Sequence, residues 1–441
     1  MKNLTEGNIF KKITFFAFPI FLGNLFQQLY NIVDSLVVGN VVGKEALAAV
    51  SSTGSLVFLI VGFINGIFVG ASVITSRYFG AKDEEKLSIA IHTTIAFGII
   101  AGIIVTVFGM AFTPWFLKLM GTPDDVFADA VIYLRLYFAG GIGIVMYNTC
   151  MGIFQAVGDS KHPLYYLIIA AITNTILDLL FVAVFDFGVS GAAIATVISQ
   201  FVSAGLGFIK LTRVDGWHKV YINKIKIDGK TLKSLIQMGL PTGVQNSVIA
   251  FANVIVQSSI NQFGSVAMAG SGSYSKLEGF AFLPITSFSV ALTTFIGQNL
   301  GAKQYKRARE GARFGIIASI SLAEIIGLLI WIFAPPLIGI FNSEPDVVEV
   351  GVLRARITSL FFFLLALSHC LAGILRGAGK TKIPMYVMLI SWCLIRIAYI
   401  TIMVKIIPDI SVVFWAYPIT WFISSAVFII YYKRTNWLEA Y

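Results

Sequence analysis

The chain is short of charge, of cysteine and of histidine, and each shortage argues against a class of protein. Only 12% of its 441 residues are charged, against about 25% in soluble domains. With a mean hydropathy of +0.85, this indicates a polytopic membrane protein. Three cysteines inside apolar segments predict neither a disulfide framework nor a zinc site, and four scattered histidines do not suggest a membrane enzyme. The formal charge of +10 does not predict nucleic-acid binding, because the cations lie in short loops.

Long apolar runs fill the rest of the chain and predict an all-α fold with twelve transmembrane helices. The loops between them hold 24 Lys and Arg on one side of the membrane and 3 on the other, which predicts that both termini are cytoplasmic. The first run starts without a small-residue cleavage site, so no cleavable signal peptide is expected. The runs lie at about 13–40, 52–76, 89–118, 128–156, 163–185, 188–210, 234–263, 272–299, 313–341, 348–375, 383–407 and 411–432.

The two halves of the chain repeat each other with an offset of 221 or 222 residues. Because each half has an even number of helices, the repeat is parallel, with its axis along the membrane normal. Two similar bundles are typical of an alternating-access carrier, whereas a channel more often repeats three or more times. We predict an N-terminal lobe at 1–210, a cytoplasmic linker at 211–233 and a C-terminal lobe at 234–441. The matched motifs are Pro19 with Pro241, Asn31 with Asn253, Gly80-Ala-Lys82 with Gly301-Ala-Lys303, and Pro123-Asp124 with Pro345-Asp346.

Two acids lie inside predicted membrane helices of the N-terminal half. Asp34 is in the first helix, and Asn174 and Asp178 share a face of the fifth because they are four residues apart. At about 1.5 Å per residue, these side chains and Thr196 of the sixth helix reach the same depth. An ionised Asp at mid-membrane costs roughly 2.5–3.5 kcal/mol, so such acids are functional by default.

This group of carboxylates, amide and hydroxyl suits either a hard cation such as Na⁺ or a shared proton. A polar network that merely ties helices together is the structural alternative. The repeat favours the functional interpretation, because Asp34, Asn174 and Asp178 correspond to uncharged residues in the second half. Those residues are Val256, Ile395 and Tyr399.

The second half carries other intramembrane charges. Lys276 and Glu278 point to different faces of the eighth helix; for Glu278 a cavity wall and a structural ion pair are equally acceptable. Arg354 is expected to snorkel with Arg356. Glu324 and Arg396 are expected to be paired structurally, though not necessarily with each other.

Several motifs together resemble the multidrug and toxic compound extrusion (MATE) family over nearly the full length. They are Pro19, Gln28-x-x-Asn31-x-x-Asp34 in helix one, Gly80-Ala-Lys82, Gln155-Ala-x-Gly158-Asp159 and Gly297-Gln298-Asn299. The resemblance implies two six-helix lobes and export of organic cations and amphipathic drugs coupled to inward Na⁺ or H⁺ flow.

Among prokaryotic relatives the chain is most similar to the DinF-like branch, which implies a cation site at Asp34, Asn174, Asp178, Ala192 (through its carbonyl) and Thr196. The resemblance also implies a multi-pass protein of the bacterial cytoplasmic membrane. We expect a monomer that contacts membrane lipids and small-molecule drugs. The rival function is a flippase for a lipid-linked headgroup from the same superfamily. Residues expected at the substrate cavity or its gates are Pro19, Gln28, Asn31, Asn253, Gln257, Lys276 and Glu278.

Overall fold

The computed structural model describes the backbone of residues 3–38, 42 and 44–438. The side chains of 34–37, 44–49, 51, 52, 55 and 125 also lie outside the described part. Within these limits, every long regular element is helical. The helices are α1 (Ile9–Val37), α2 (Lys44–Gly80), α3 (Glu84–Leu119), α4 (Asp124–Ala139), α5 (Gly141–Ala156), α6 (Lys161–Asp178), α7 (Gly188–Arg213), α8 (Gly229–Asn261), α9 (Ser265–Gly301), α10 (Tyr305–Ile332), α11 (Ala334–Gly339), α12 (Pro345–Thr358), α13 (Phe362–Gly377), α14 (Lys382–Met388), α15 (Arg396–Ile406) and α16 (Ile410–Arg434).

The number of membrane spans depends on one bent pair of helices. Eleven helical stretches of the described chain are long and apolar enough to cross a membrane, and α4 with α5 makes a twelfth if counted as one span. These two helices meet at an angle of 48°. Gly140 stands at the bend, where an added Cβ would lie 2.6 Å from Val197 of α7.

The helices form two compact units. The first contains Leu22–Gly239, and the second contains Leu4–Phe21 together with the chain from Leu240 onward. The beginning of α1 therefore belongs to the second unit, and the beginning of α8 belongs to the first. The segment between α7 and α8 is also part of the first unit.

Glycine allows α2 and α8 to meet at their backbones within the first unit. A Cβ added to Gly70 would lie 2.3 Å from the backbone nitrogen of Gly239, and one added to Gly239 would lie 2.2 Å from the carbonyl oxygen of Ile67. Real side chains do not approach backbone atoms so closely. The two glycines thus allow the backbones of α2 and α8 to cross at this short distance.

A similar crossing joins α9 and α13 in the second unit. Gly373 and Gly377 have the four-residue spacing of close membrane-helix contacts. Added Cβ atoms would lie 2.5 Å from the carbonyl oxygens of Ser289 and Thr293, respectively. The Thr293 hydroxyl donates to the Gly373 carbonyl at 3.0 Å, so polar side chains also hold this crossing.

Candidate cation site

Helix α6 carries two of the predicted site residues to its buried face. Asn174 is 1% exposed and Asp178 is fully buried, one turn apart in a helix that begins at Lys161. A π-helical segment, Leu179–Val184, follows Asp178 directly. Such wide turns are rare and often occur at functional sites.

Helix α7 approaches α6 closely because its facing residues are small. A Cβ on Gly191 would lie 3.1 Å from the carbonyl carbon of Phe181 in the π-helical segment. Ala192, Ala193 and Ala195 next to it are fully buried. This close packing brings Thr196, which is 6% exposed, to the Asn174 side of α6.

The Thr196 hydroxyl is the centre of a hydrogen-bond cluster. It donates to the Ala192 carbonyl at 3.0 Å and accepts from the Asn174 amide nitrogen at 3.4 Å. The Tyr30 hydroxyl donates to the same oxygen at 3.5 Å. Three of the predicted residues are therefore in one cluster, and Tyr30 of α1 joins them. Sequence reasoning missed Tyr30, although it is four residues before Asp34 and so lies on the same helical face.

The backbone of Asp34 lies in α1, but its side chain is outside the described residues. The predicted juxtaposition of Asp34 and Asp178 thus stays a prediction. The Asp178 carboxyl oxygens and the Asn174 carbonyl oxygen are buried, and no described group donates to the Asn174 oxygen. A buried acceptor without a donor needs an explanation, and a cation is one. The oxygens of Asn174, Asp178, Thr196 and Ala192 are ligands that hard cations prefer.

The predicted cavity residues are distributed over both units. Pro19 is buried inside α1, Gln28 is half-buried and Asn31 is exposed. Asn253 of α8 is exposed, and the Gln257 amide donates to the Asn261 side chain at 2.8 Å. Their assignment to a substrate cavity remains a prediction.

Glu278 of α9 forms an ion pair inside the second unit. Its carboxylate lies 3.3 Å from Arg354 Nη2 of α12. Arg354 is 3% exposed, so the prediction that it snorkels is wrong. The physical reason is that α9 offers polar partners to the buried Arg354 side chain. Besides Glu278, Arg354 donates to Ser275 Oγ at 3.1 Å and to the Ser271 hydroxyl. Lys276 is instead exposed, with its ammonium 5.7 Å from the Phe341 ring centroid.

Arg396 and Glu324 are each paired with neutral groups, as expected for structural roles. Arg396 donates to Thr420 Oγ1 from Nε at 3.1 Å and from Nη2 at 2.8 Å, and its guanidinium lies 4.5 Å from the Tyr417 ring centroid. Glu324 accepts from the Phe363 N–H at 3.2 Å. Among the described residues, no carboxylate lies within ion-pair distance of Arg396.

The two halves of the chain both match one family model. The MatE model covers residues 19–180 and again 241–402. The chain belongs to the MatE family. Both matched segments have the same length and are offset by 222 residues, in agreement with the internal repeat. Membership confirms the family resemblance and the expectation that this transporter-family protein is not an enzyme.

Two curated relatives of this MATE protein come from Bacillus subtilis (strain 168). The probable multidrug resistance protein YpnP is 29% identical over 399 residues, covering 89% of this chain and 88% of the relative. The probable multidrug resistance protein YoeA is 28% identical over 389 residues, covering 86% and 84%. A crystal structure of a MATE protein in complex with MaL6 superposes with a TM-score of 0.93 at 22% identity, covering 99% of both chains. This confirms the predicted all-helical polytopic membrane fold of the MATE type.

Proposed function

We propose that the protein is a cation-coupled multidrug efflux antiporter of the bacterial cytoplasmic membrane, driven by Na⁺ or H⁺ and working by alternating access. The observation that carries this proposal is the buried Asp178 beside the Asn174–Thr196 hydrogen bond. The names of the Bacillus relatives support drugs as the substrate class. The position of Asp34 and Asp178 in the N-terminal half supports membership of the DinF-like branch. We also propose that the protein is a monomer and that both of its termini are cytoplasmic.

The chain's own residues have distinct roles in this scheme. Asp178, with Asp34, takes up the ion or proton in the outward-open state. Asn174 and Thr196 contribute neutral oxygens, which hold a cation without adding charge, and Tyr30 orients the Thr196 hydroxyl. Coupling requires that the ion and the drug each bind a different conformational state preferentially. A ligand with equal affinity for both states does not change the equilibrium between them.

A proteoliposome assay tests the proposal. The purified protein is reconstituted, and efflux of a cationic dye is measured with an imposed Na⁺ gradient and, separately, with an imposed pH gradient. Asp178→Asn keeps the side-chain size but removes the ionisable carboxyl, so we expect at least a tenfold loss of gradient-driven transport. Asp34→Asn is expected to behave in the same way.

Glu324→Gln provides the matched control, because Glu324 is also an intramembrane acid but only accepts a backbone hydrogen bond. We expect it to retain transport within about twofold. Gradient-driven efflux by Asp178→Asn at the wild-type rate would contradict the proposal. The gradient that drives the wild-type protein identifies the coupling ion.

One observation favours the flippase alternative. In the second unit, Arg354 and Arg396 are buried, whereas only Arg354 has a carboxylate partner among the described residues. A surplus buried cation suits an anionic headgroup more than a cationic drug. Transport of a fluorescent pyrophosphate-linked isoprenoid without dye efflux, in the same proteoliposomes, would favour this alternative.

A further inference from the structure

The segment 214–228, between α7 and α8, is folded onto the first unit. Val220 N–H donates to the Leu211 carbonyl at 2.9 Å. Tyr221 N–H donates to His92 Nε2 at 2.9 Å, and Asp228 N–H donates to Thr93 Oγ1 at 3.2 Å. These contacts fix the middle and the C-terminal end of the segment on the first unit, so the segment has a defined surface.

His92 is suited to hold this segment. Its Nδ1 lies 2.7 Å from the Ser88 carbonyl oxygen, which can only accept, so Nδ1 carries the proton. Nε2 is then free to accept from Tyr221. The neutral ring also stacks on the Tyr221 ring, with centroids 6.3 Å apart. The position of the Tyr221 side chain is thereby set by α3.

Large apolar side chains point away from the protein along this segment. The exposed fractions are 43% for Trp217, 45% for Tyr221, 70% for Ile222 and 40% for Ile227. The segment begins after α7 and ends before α8, and both helices are membrane spans. It therefore joins two spans at one membrane face, and Trp and Tyr are favoured where such a face meets the lipid headgroups.

Lysines surround these apolar side chains. The ammonium groups of Lys224 and Lys219 lie 4.8 Å and 5.8 Å from the Tyr221 ring centroid. Residues 210–233 hold seven Lys or Arg against two Asp, a surplus of five positive charges. One of these carboxylates, Asp228, accepts hydrogen bonds from the Thr231 N–H and hydroxyl at 2.8 and 2.6 Å. These hydrogen bonds lower the pKa of Asp228. They also engage its carboxylate with the first turn of α8.

We propose that this surface binds the headgroup of an anionic phospholipid. We call it the linker surface, and it consists of Trp217, Lys219, Tyr221, Ile222, Lys224, Lys226 and Ile227. The lysines contact the phosphate, and the aromatic rings and Ile222 insert beside the glycerol and upper acyl region. A cleft of about 710 Å³ opens here, lined by Trp217, Tyr221, Lys224 and Lys226. Glu84 and Glu85 of α3 and Asp228 also line it, so the cleft holds three carboxylates against two lysines. The phosphate therefore belongs at the exposed lysine side and not in the acidic part of the cleft.

A lipid titration of the full-length protein tests the proposal. Detergent-solubilised protein is titrated with phosphatidylglycerol, and the rise in unfolding temperature gives an apparent Kd. The variant Lys219→Gln/Lys224→Gln/Lys226→Gln removes three surface cations, each worth about fivefold in affinity for an anionic lipid surface. We expect its apparent Kd for phosphatidylglycerol to rise on the order of a hundredfold. Phosphatidylcholine and phosphatidylethanolamine are expected to bind wild type and variant equally weakly.

A matched variant controls for the loss of charge alone. Lys303→Gln/Lys306→Gln/Lys433→Gln removes three exposed cations from the second unit and is expected to keep wild-type affinity within about threefold. Fluorescence provides a second readout that does not depend on stability. Brominated phosphatidylglycerol should quench wild type more than Trp217→Phe. Equal affinity for all three lipids, equal loss in both triple variants, or equal quenching in wild type and Trp217→Phe would each overturn the proposal.

Discussion

At the scale of single residues, the Thr196 hydroxyl determines how the candidate site is arranged. It donates to Ala192, so its lone pairs face Asn174 and Tyr30. The sequence predicted Asn174 and Thr196 from their depth in the membrane. It did not predict Tyr30, because an aromatic residue in a membrane helix is usually a packing or lipid-facing residue.

His218 lies in an environment that is poorly suited to a charge. It is 1% exposed, and neither ring nitrogen has a hydrogen-bond partner among the described residues. Burial lowers the pKa of His218 to about 4, although Asp159 nearby opposes this and Lys210 and His162 reinforce it. The neutral His218 ring thus lies on the buried face of the segment 214–228.

We predict that this segment loosens in acid. The unfolded pKa of histidine is about 6.5, so the opened state binds a proton that the packed state excludes between pH 6.5 and about 4. Local stability is complete above pH 6.5 and falls by up to about 1.4 kcal/mol per unit as the pH drops through this window. Hydrogen exchange at the Val220 and Tyr221 amides measures it.

His218→Leu should remove this pH dependence, because leucine fills similar space without titrating. Trp217→Phe, in the adjacent position, should retain it. Acid-induced exchange that is the same in His218→Leu and wild type would assign the loosening to another group.

At the scale of helices, close crossings depend on glycine where backbones touch. The contact of Gly70 with Gly239 joins α2 to the beginning of α8, and the contact of Gly373 and Gly377 joins α13 to α9. The four-residue spacing of the second pair is visible in the sequence. The first pair comes from two distant segments, and neither glycine has a local signal, because glycine is frequent in membrane helices for several reasons.

We predict that Gly70→Ala destabilises the protein by about 1–3 kcal/mol, because the new methyl group would collide with a backbone that cannot rotate away. The measurement is the unfolding temperature in detergent. Gly54→Ala in the same helix is the control, since nothing lies within 4 Å of its Cβ position; we expect no loss there. Equal unfolding temperatures for the two variants would show that α2 can shift to admit the methyl group.

At the scale of the whole molecule, the two units are alike in fold and different in buried charge. The first unit holds the buried Asp178 and Asn174. The second holds the Glu278–Arg354 ion pair and Arg396. Sequence repetition predicted the common scaffold and also the missing acids of the second half. The ion pair needed the structure, because Glu278 and Arg354 are 76 residues apart.

The distribution of Lys and Arg predicts on which side of the membrane each loop lies. Cysteine introduced for Asn223, in the cationic segment 214–228, should react with an impermeant maleimide only after cells are permeabilised. Cysteine introduced for Ser343, between α11 and α12, should react in intact cells. Both side chains are exposed, and the native Cys150, Cys370 and Cys393 are buried, so background labelling should be low. The reverse labelling pattern would invert the orientation.

The sequence by itself determined the helical membrane fold and the repeat, and it predicted Asn174, Asp178 and Thr196 as site residues. These follow from hydropathy, from self-similarity and from the cost of burying polar groups, all of which are local or periodic. The tertiary structure alone decided that Tyr30 joins Thr196, that Arg354 pairs inward with Glu278, and that the segment 214–228 packs on α3. Each of these depends on a contact between residues far apart in the chain, and helical periodicity gives the face of a residue but not its neighbour on another helix.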